Sequence, residues 1–334
     1  QAILVARAAF PAWRDTDYRV RSDYLFRAAV QARKLRFQLA ALQVLEVGKS
    51  WSEADADVCE AIDFLEYYGR EMLRLAPQRR MGHAPGELSH LIYEPRGVCV
   101  VIAPWNFPLA ISMGMTSAAL VAGNTVVYKP ASQSPVTGAM VYELFKAAKL
   151  PPGVLNFLPG RGSELGDILV THPEVDMIAF TGSKETGFRI IELAATSSRY
   201  AHGVKQVIAE MGGKNAIIVD ADADLDEAIL HILQSAFGYQ GQKCSACSRL
   251  IVLEENYDRL VERLKSATES IHLGPVEDPK NFVGAVIEPA ALQKVLDYLA
   301  IGKEEGTILI QRDITALPSS ASDEPTGPQG DALC

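Results

Sequence analysis

From Gly97 onward the chain alternates short β-branched runs with helical segments, and this alternation restricts what it can fold into more than any other feature. The runs occupy residues 97–102, 125–128, 154–158, 177–180 and 206–209. Between them, apolar residues recur at helical spacing over 109–121, 135–149, 163–170 and 185–195, with Ser134 and Pro135 as an N-cap and N1 pair. Strands separated by helices pair in parallel through right-handed crossovers, so the expected fold class is α/β around a parallel sheet. Ligands of such sheets gather at the carboxyl ends of the strands. There the sequence places Pro104-Trp105-Asn106, Lys129-Pro130-Ala131-Ser132 and Thr181-Gly182-Ser183.

Upstream, Leu25, Ala28, Ala29, Leu35, Leu39, Leu42 and Leu45 give residues 18–47 the spacing of one long amphipathic helix, and Ser52 with Asp55 opens a second over 56–75. Both read as covering helices without chemistry of their own. Downstream, a strand at 215–219, the acidic turn Asp220-Ala221-Asp222-Ala223-Asp224 and a helix over 225–239 form another unit, followed by a strand at 249–253 and helices over 257–271 and 290–301. Residues 314–334 are rich in Ser, Pro, Gly, Asp and Glu and are expected to form a disordered tail. The expected domains are 1–209, helices plus a ligand-binding sheet; 210–313, part of a second α/β domain; and the tail 314–334.

With 48% hydrophobic and 22% charged residues, the 334-residue chain has the make-up of a soluble globular protein. A formal charge of −9 and scattered Lys and Arg argue against nucleic acid or an anionic membrane as partner. The longest weakly polar run, 108–123, is too short for a bilayer, so no transmembrane segment is expected. Five cysteines, an odd and sparse set, suit a reducing compartment better than a disulfide framework, and a cytoplasmic location is expected. The N-terminus has no initiator Met and Arg7 interrupts its apolar run; it makes a poor signal peptide, and the chain is expected to begin inside a longer product.

The stretch Gly241-Gln242-Lys243-Cys244-Ser245-Ala246-Cys247-Ser248-Arg249 surrounds Cys244 with small and hydroxyl residues instead of apolar packing. A lone cysteine is often only a small buried hydrophobe. Cys244, however, follows a helix ending near Gly238 and Gly241 and is flanked by Lys243, a setting that exposes a thiol near N–H groups favouring thiolate. Cys244 and Cys247 also form a Cys-x-x-Cys, but no second Cys or His pair at ligand spacing accompanies it, so no metal site is expected. Glu210 precedes Met211-Gly212-Gly213, where glycines let a ligand approach; it is either a surface glutamate or a general base for water. Asn106, in a loop bounded by Pro104 and Pro108, either bonds its own turn or offers its amide, with the Cys244 N–H, to an oxyanion. Neither common phosphate fingerprint occurs. Instead, residues 180–187 run from a strand through Gly182-Ser183 into a helix whose N-terminus can hold an anion. Lys129 is either a solvated lysine or a partner for ribose or phosphate.

The Pro-Trp-Asn-Phe-Pro, Lys-Pro-Ala, Phe-Thr-Gly-Ser, Glu-Met-Gly-Gly-Lys and Gly-Gln-Lys-Cys blocks, in this order and spacing, resemble the aldehyde dehydrogenase superfamily over about residues 7–310. Residues 241–249 are most similar to its 1-pyrroline-5-carboxylate (glutamate semialdehyde) dehydrogenases of proline catabolism. The resemblance implies a Rossmann-like, doubly wound dinucleotide-binding domain and a partial α/β catalytic domain. It further implies oxidation of L-glutamate 5-semialdehyde to glutamate with NAD. In that chemistry Cys244 attacks the aldehyde, Asn106 and the Cys244 N–H hold the oxyanion, and Glu210 activates the water that hydrolyses the thioester. The implied cofactor site is Ile102, Pro104, Trp105, Lys129, Ser132, Gly162, Phe180, Gly182, Ser183, Gly187, Met211 and Gly212. The implied substrate contacts are Phe107, Lys243 and Ser245, and a hairpin within 81–95 would join subunits of a full-length homo-oligomer.

Ser132 stands where many NAD-preferring members carry Glu, so NADP use stays open. The family's later Glu-x-Phe-Gly-Pro motif has no counterpart, and an alternative is a truncated, inactive fragment or pseudoenzyme retaining at most nucleotide or partner binding. A third reading, a thiol oxidoreductase using Cys244 and Cys247, lacks the flanking fold signals of that class.

Overall fold

The computed structural model describes residues 1–312, which fall into two compact units. One comprises Gln1–Glu46 with Asp55–Met211, and the other Val47–Ala54 with the chain from Gly212. The tail expected over 314–334 lies outside the described residues.

The chain opens with helices α1 (Ala2–Arg14), α2 (Tyr18–Lys34), α3 (Arg36–Val47) and α4 (Trp51–Leu75), then a short antiparallel ladder between β1 (Arg79–Arg80) and β2 (His90–Leu91). Next come β3 (Val98–Ile102), α5 (Ala110–Val121), β4 (Thr125–Lys129), α6 (Pro135–Ala147) and β5 (Leu155–Phe157). They are followed by α7 (Gly162–Thr171), β6 (Met177–Gly182), α8 (Lys184–Ser197) and β7 (Gln206–Met211). The last five strands form one parallel sheet in the order β5-β4-β3-β6-β7. The order reverses at β3, so the sheet is doubly wound, as the alternation and the resemblance implied. Its central strands are near-continuous apolar runs because helices cover both faces: β4 is buried throughout and β3 except at Ile102.

The helices at the N-terminus differ from the sequence expectation. The stretch 18–47 is not one helix; it breaks at Leu35, whose N–H is shared between Gln31 O and Ala32 O at 3.2 and 3.1 Å, a tightened last turn. The second helix begins at Trp51, five residues earlier than its Ser52–Asp55 signal suggested. At α6, Ser134 occupies the N-cap without a side-chain bond. The carboxylate of Glu46 accepts from Val136 N and Thr137 N, both at 2.7 Å, and serves as the cap instead. Pro135 has no N–H, so the first orphan donors lie where a two-oxygen acceptor from α3 can take both.

The second unit contains β8 (Asn215–Val219), α9 (Leu225–Phe237), β9 (Cys247–Val252), α10 (Glu254–Glu269) and α11 (Pro289–Glu305). β8 and β9 pair in parallel, and Val219, Leu225, Ile229, Ile232 and Leu260 form the core between strands and helices. No helix of the described residues is long and apolar enough to cross a membrane.

Candidate active site

In the first unit, strand register gathers the residues that the sequence singled out. Ile102 pairs with Lys129 on one side and with Phe180 on the other, while Glu210 pairs with Thr181 and Met211 with Gly182. The carboxyl ends of β4, β3, β6 and β7 therefore carry these groups side by side. Lys129 is 4% exposed, so it is not a solvated lysine; its Nζ donates to Pro130 O at 3.0 Å, and burial lowers its pKa. Ser132 and Glu210 are exposed.

Asn106 follows β3 in a half-buried loop with Pro104, Trp105 and Phe107. Its Oδ1 accepts from Phe107 N at 3.1 Å, so the carbonyl end of the amide is tied to the turn. The oxyanion role would use the opposite, donor end of the amide. The start of α5 is anchored by Asp57, a fully buried residue of α4 whose Oδ1 accepts from Ala110 N at 2.7 Å. A carboxylate at a helix N-terminus is favoured by the free N–H groups and the dipole.

At the end of β6, Ser183 caps α8: its Oγ accepts from Thr186 N at 3.2 Å and pairs with Thr186 Oγ1 at 3.0 Å. Gly187 lets the helix sit close to the sheet, because a Cβ there would fall 2.5 Å from Met211 Sδ and 3.3 Å from the Phe180 ring. Phe180 and Gly187 are buried and Met211 is half-buried, so these three pack beneath the helix start. Gly162 is the exposed first residue of α7.

The second unit holds Cys244, Lys243, Ser245 and Gly212. After α9 the chain passes through three consecutive left-handed residues, Tyr239 (φ 51°), Gln240 (φ 57°) and Gly241 (φ 69°). Two of them carry a Cβ, a conformation that persists only where surroundings over-determine it. They do so here. Tyr239 is fully buried, its hydroxyl donates to Val47 O at 2.9 Å, and Lys49 Nζ lies 5.2 Å from its ring centre. Gln240 Nε2 donates to Ala285 O at 2.6 Å and Gly48 O at 3.3 Å, and Gln242 Oε1 accepts from Ile287 N at 3.0 Å. Asn215 Nδ2 holds Cys244 O at 2.8 Å, and Ser235 Oγ accepts from Cys247 N at 3.1 Å. On this braced turn Cys244 and Ser245 are exposed and the Cys244 thiol is free. Cys247 is half-buried, and its thiol donates to Arg249 O at 3.2 Å. Lys243 turns its ammonium onto Glu53. Among the described residues no group of three or more His, Cys, Asp or Glu could hold a metal ion.

Sequence patterning missed the contribution of 46–57, of which it read only the two ends, in helices 18–47 and 56–75, as cover. Glu46 and Asp57 cap helices of the sheet domain, and Val47, Gly48, Lys49 and Glu53 brace the turn that carries Cys244. Gly48-Lys49-Ser50 does interrupt the helical pattern and marks a special segment. Glu53 and Asp57 give no local signal, because a carboxylate on an amphipathic helix normally faces water.

The model of the aldehyde dehydrogenase family matches residues 1–323. The chain belongs to the aldehyde dehydrogenase family. Within that family it is 49% identical, over 309 residues, to 1-pyrroline-5-carboxylate dehydrogenase of Anoxybacillus flavithermus, and 50% identical to that of Bacillus cytotoxicus. Each alignment covers 92% of this chain and 60% of the relative, so the chain spans about 60% of the length of the curated relatives it matches. Among solved structures, 1-pyrroline-5-carboxylate dehydrogenase from Thermus with bound NAD aligns with a TM-score of 0.88 at 45% identity, covering 91% of this chain and 59% of that one. Proline utilization A from Bdellovibrio bacteriovorus, inactivated by N-propargylglycine, aligns at 0.90 and 49% identity, covering 93% and 32%. These likenesses give the chain the family's fold, with its doubly wound sheet.

Proposed function

We propose that the chain carries the dinucleotide-binding domain and the nucleophile-bearing part of the catalytic domain of an NAD-dependent enzyme oxidising L-glutamate 5-semialdehyde to glutamate in proline catabolism. The observation that carries this reading is the exposed, free Cys244 thiol on a strained turn braced by side chains from several segments. The substrate rests on relatives named 1-pyrroline-5-carboxylate dehydrogenase at 48–50% identity, and the cofactor on the Thermus structure with NAD.

The strand-end residues fit a dinucleotide. Lys129 places a buried ammonium at the end of β4, and Ser183 the capped N-terminus of α8 at the end of β6, donors suited to ribose hydroxyls and pyrophosphate. In the reaction the Cys244 thiolate forms a C–S bond to the aldehyde carbon, and the carbonyl π pair moves to oxygen. The Asn106 amide and the Cys244 N–H stabilise that oxyanion, each contributing on the order of 3 kcal/mol. When bound, NAD supplies the acceptor for the hydride that leaves this carbon, so that a thioester remains on Cys244. Glu210 then takes a proton from the water that adds to the thioester; the C–S bond breaks, glutamate departs and the thiolate is restored. Ser245 donates to the substrate carboxylate and Phe107 packs on its aliphatic chain, while Lys243, engaged by Glu53, is left out of the substrate set.

NADH formation with glutamate semialdehyde, lost in Cys244→Ala, tests this reading; dinucleotide binding without turnover in the parent chain overturns it. A second reading, binding without catalysis, is favoured by one observation. The β8–β9 sheet leaves Ile218 and Ile251 71% and 49% exposed, so that among the described residues one side of this parallel pair has no cover. Homo-oligomerisation through the β1–β2 hairpin is supported by the exposed Met81, Leu88, Ile92 and Tyr93, and sedimentation of a variant with these made polar checks it. A cytoplasmic location agrees with the four free cysteines among the described residues.

A further inference from the structure

Lys243 and Glu53 form a pair that the proposed chemistry does not use. Lys243 Nζ lies 2.6 Å from Glu53 Oε1, with the two side chains only 12% and 8% exposed. The same oxygen accepts from Gln234 Nε2, in the last turn of α9, at 2.8 Å. Gly238 completes the enclosure: a Cβ there would fall 2.9 Å from Glu53 Oε1, 3.1 Å from Lys243 Nζ and 3.2 Å from Gln234 Nε2. The first turn of α4, the end of α9 and the residue before the nucleophile thus converge on one carboxylate oxygen. Glu53 also lies where the free N–H groups of the α4 N-terminus favour an anion.

A buried ion pair is a poor source of net stability, because desolvating both charges offsets their attraction. What this one supplies is direction. Lys243 N donates to Gly241 O at 2.9 Å and Lys243 O accepts from Ala246 N at 3.2 Å, so its backbone is already part of the turn around Cys244. With the side chain held as well, the residue before Cys244 is bonded through its N–H, its carbonyl and its ammonium. The preceding left-handed residues are held by their own bonds to Val47, Gly48 and Ala285. The pair also compensates the positive charge of the residue next to Cys244 in sequence.

We infer that Glu53 is a positioning residue for the nucleophile: through Lys243 it sets the direction of Cys244 and neutralises the neighbouring ammonium. The inference rests on Cys244 being the nucleophile of the proposed oxidation. Two readouts on the full chain test it. In Glu53→Gln the ammonium is left uncompensated and in Lys243→Met the carboxylate is left alone, so the charge carried next to Cys244 changes in opposite directions. Iodoacetamide alkylation of Cys244 at about pH 7.5, located by peptide mass, is therefore expected to be about three-fold faster in the first variant and about three-fold slower in the second. The double variant Glu53→Gln/Lys243→Met, which leaves no lone buried charge and retains folding, returns to within about two-fold of the parent. In steady state, Glu53→Gln lowers kcat by about ten-fold or more with KM for NAD unchanged.

Alkylation rates that move in the same direction in both single variants, or kcat within about two-fold of the parent in Glu53→Gln, overturn the inference. A parent chain without turnover but with the opposite alkylation shifts overturns the dehydrogenase reading alone.

Discussion

The two units place the same motif, parallel strands with crossover helices, in different surroundings. In the first, β4 is buried along its length and β3 at all but its last position. In the second, three of the five residues of β8 are exposed, and α11 has no buried residue. A parallel ladder is stable chiefly when both faces are covered, so the first sheet is held by helices on both faces and the second by α9 and α10 on one. The second unit instead concentrates its side-chain hydrogen bonds on one turn, around Cys244. The difference teaches where the structure invests its contacts: the strand-end residues Lys129 and Phe180 stand on a covered sheet, and Cys244 on a locally braced turn beside a sheet with an exposed side.

The sharpest break between the units is functional. Cys244→Ala is expected to lower NADH formation by about 10⁴-fold or more, while NAD affinity, measured by fluorescence titration, stays within about two-fold. Loss of NAD binding in this variant would mean that the two units do not divide the work as described. Next come matched truncations in the two sheets. Ile178→Ala in β6, where the side chain is fully buried, is expected to cost about 2–5 kcal/mol in denaturant unfolding. Ile218→Ala in β8, where it is 71% exposed, should change stability by less than about 0.5 kcal/mol. Equal costs would show that β8 is covered in solution.

A smaller effect comes from Lys205, 6% exposed in the first unit, whose Nζ donates to Val170 O at 2.7 Å and His172 O at 2.8 Å. Burial pulls its pKa from 10.5 down to about 8. The unfolded chain therefore keeps this proton to higher pH than the folded one, and stability rises with pH between about 8 and 10.5. Measured as the difference between the parent and Lys205→Met, the rise should be about 1–2 kcal/mol by pH 10. The smallest effect is expected at Gly187. Its replacement by Ala pushes a Cβ against the flexible end of Met211 and should cost about 1 kcal/mol, relieved by adding Met211→Ala.

Much of the first unit was legible in the residue order. Its strands lie within a few residues of the β-branched runs, because short buried strands joined by helices leave a strong local pattern. The exposure of Cys244 was also legible, from its small and hydroxyl neighbours. The left-handed run at Tyr239 and Gln240 was not, since neither residue type signals such a backbone; bonds to Val47, Gly48 and Ala285 impose it. Nor was the burial of Lys129, because a lysine after a strand looks the same whether solvated or enclosed. The break at Leu35 stayed hidden because apolar spacing continues through it without a Gly or Pro.

The sequence by itself determined the α/β class, the strand-end positions of Ile102, Lys129, Phe180 and Glu210, and the exposure of Cys244. Each of these depends on residues near one another in the chain. Only the tertiary structure decided that Val47–Ala54 joins the second unit and that Glu53 meets Lys243 across 190 positions of sequence. A buried ion pair depends on which distant segments exclude water from it, and local periodicity carries no record of that.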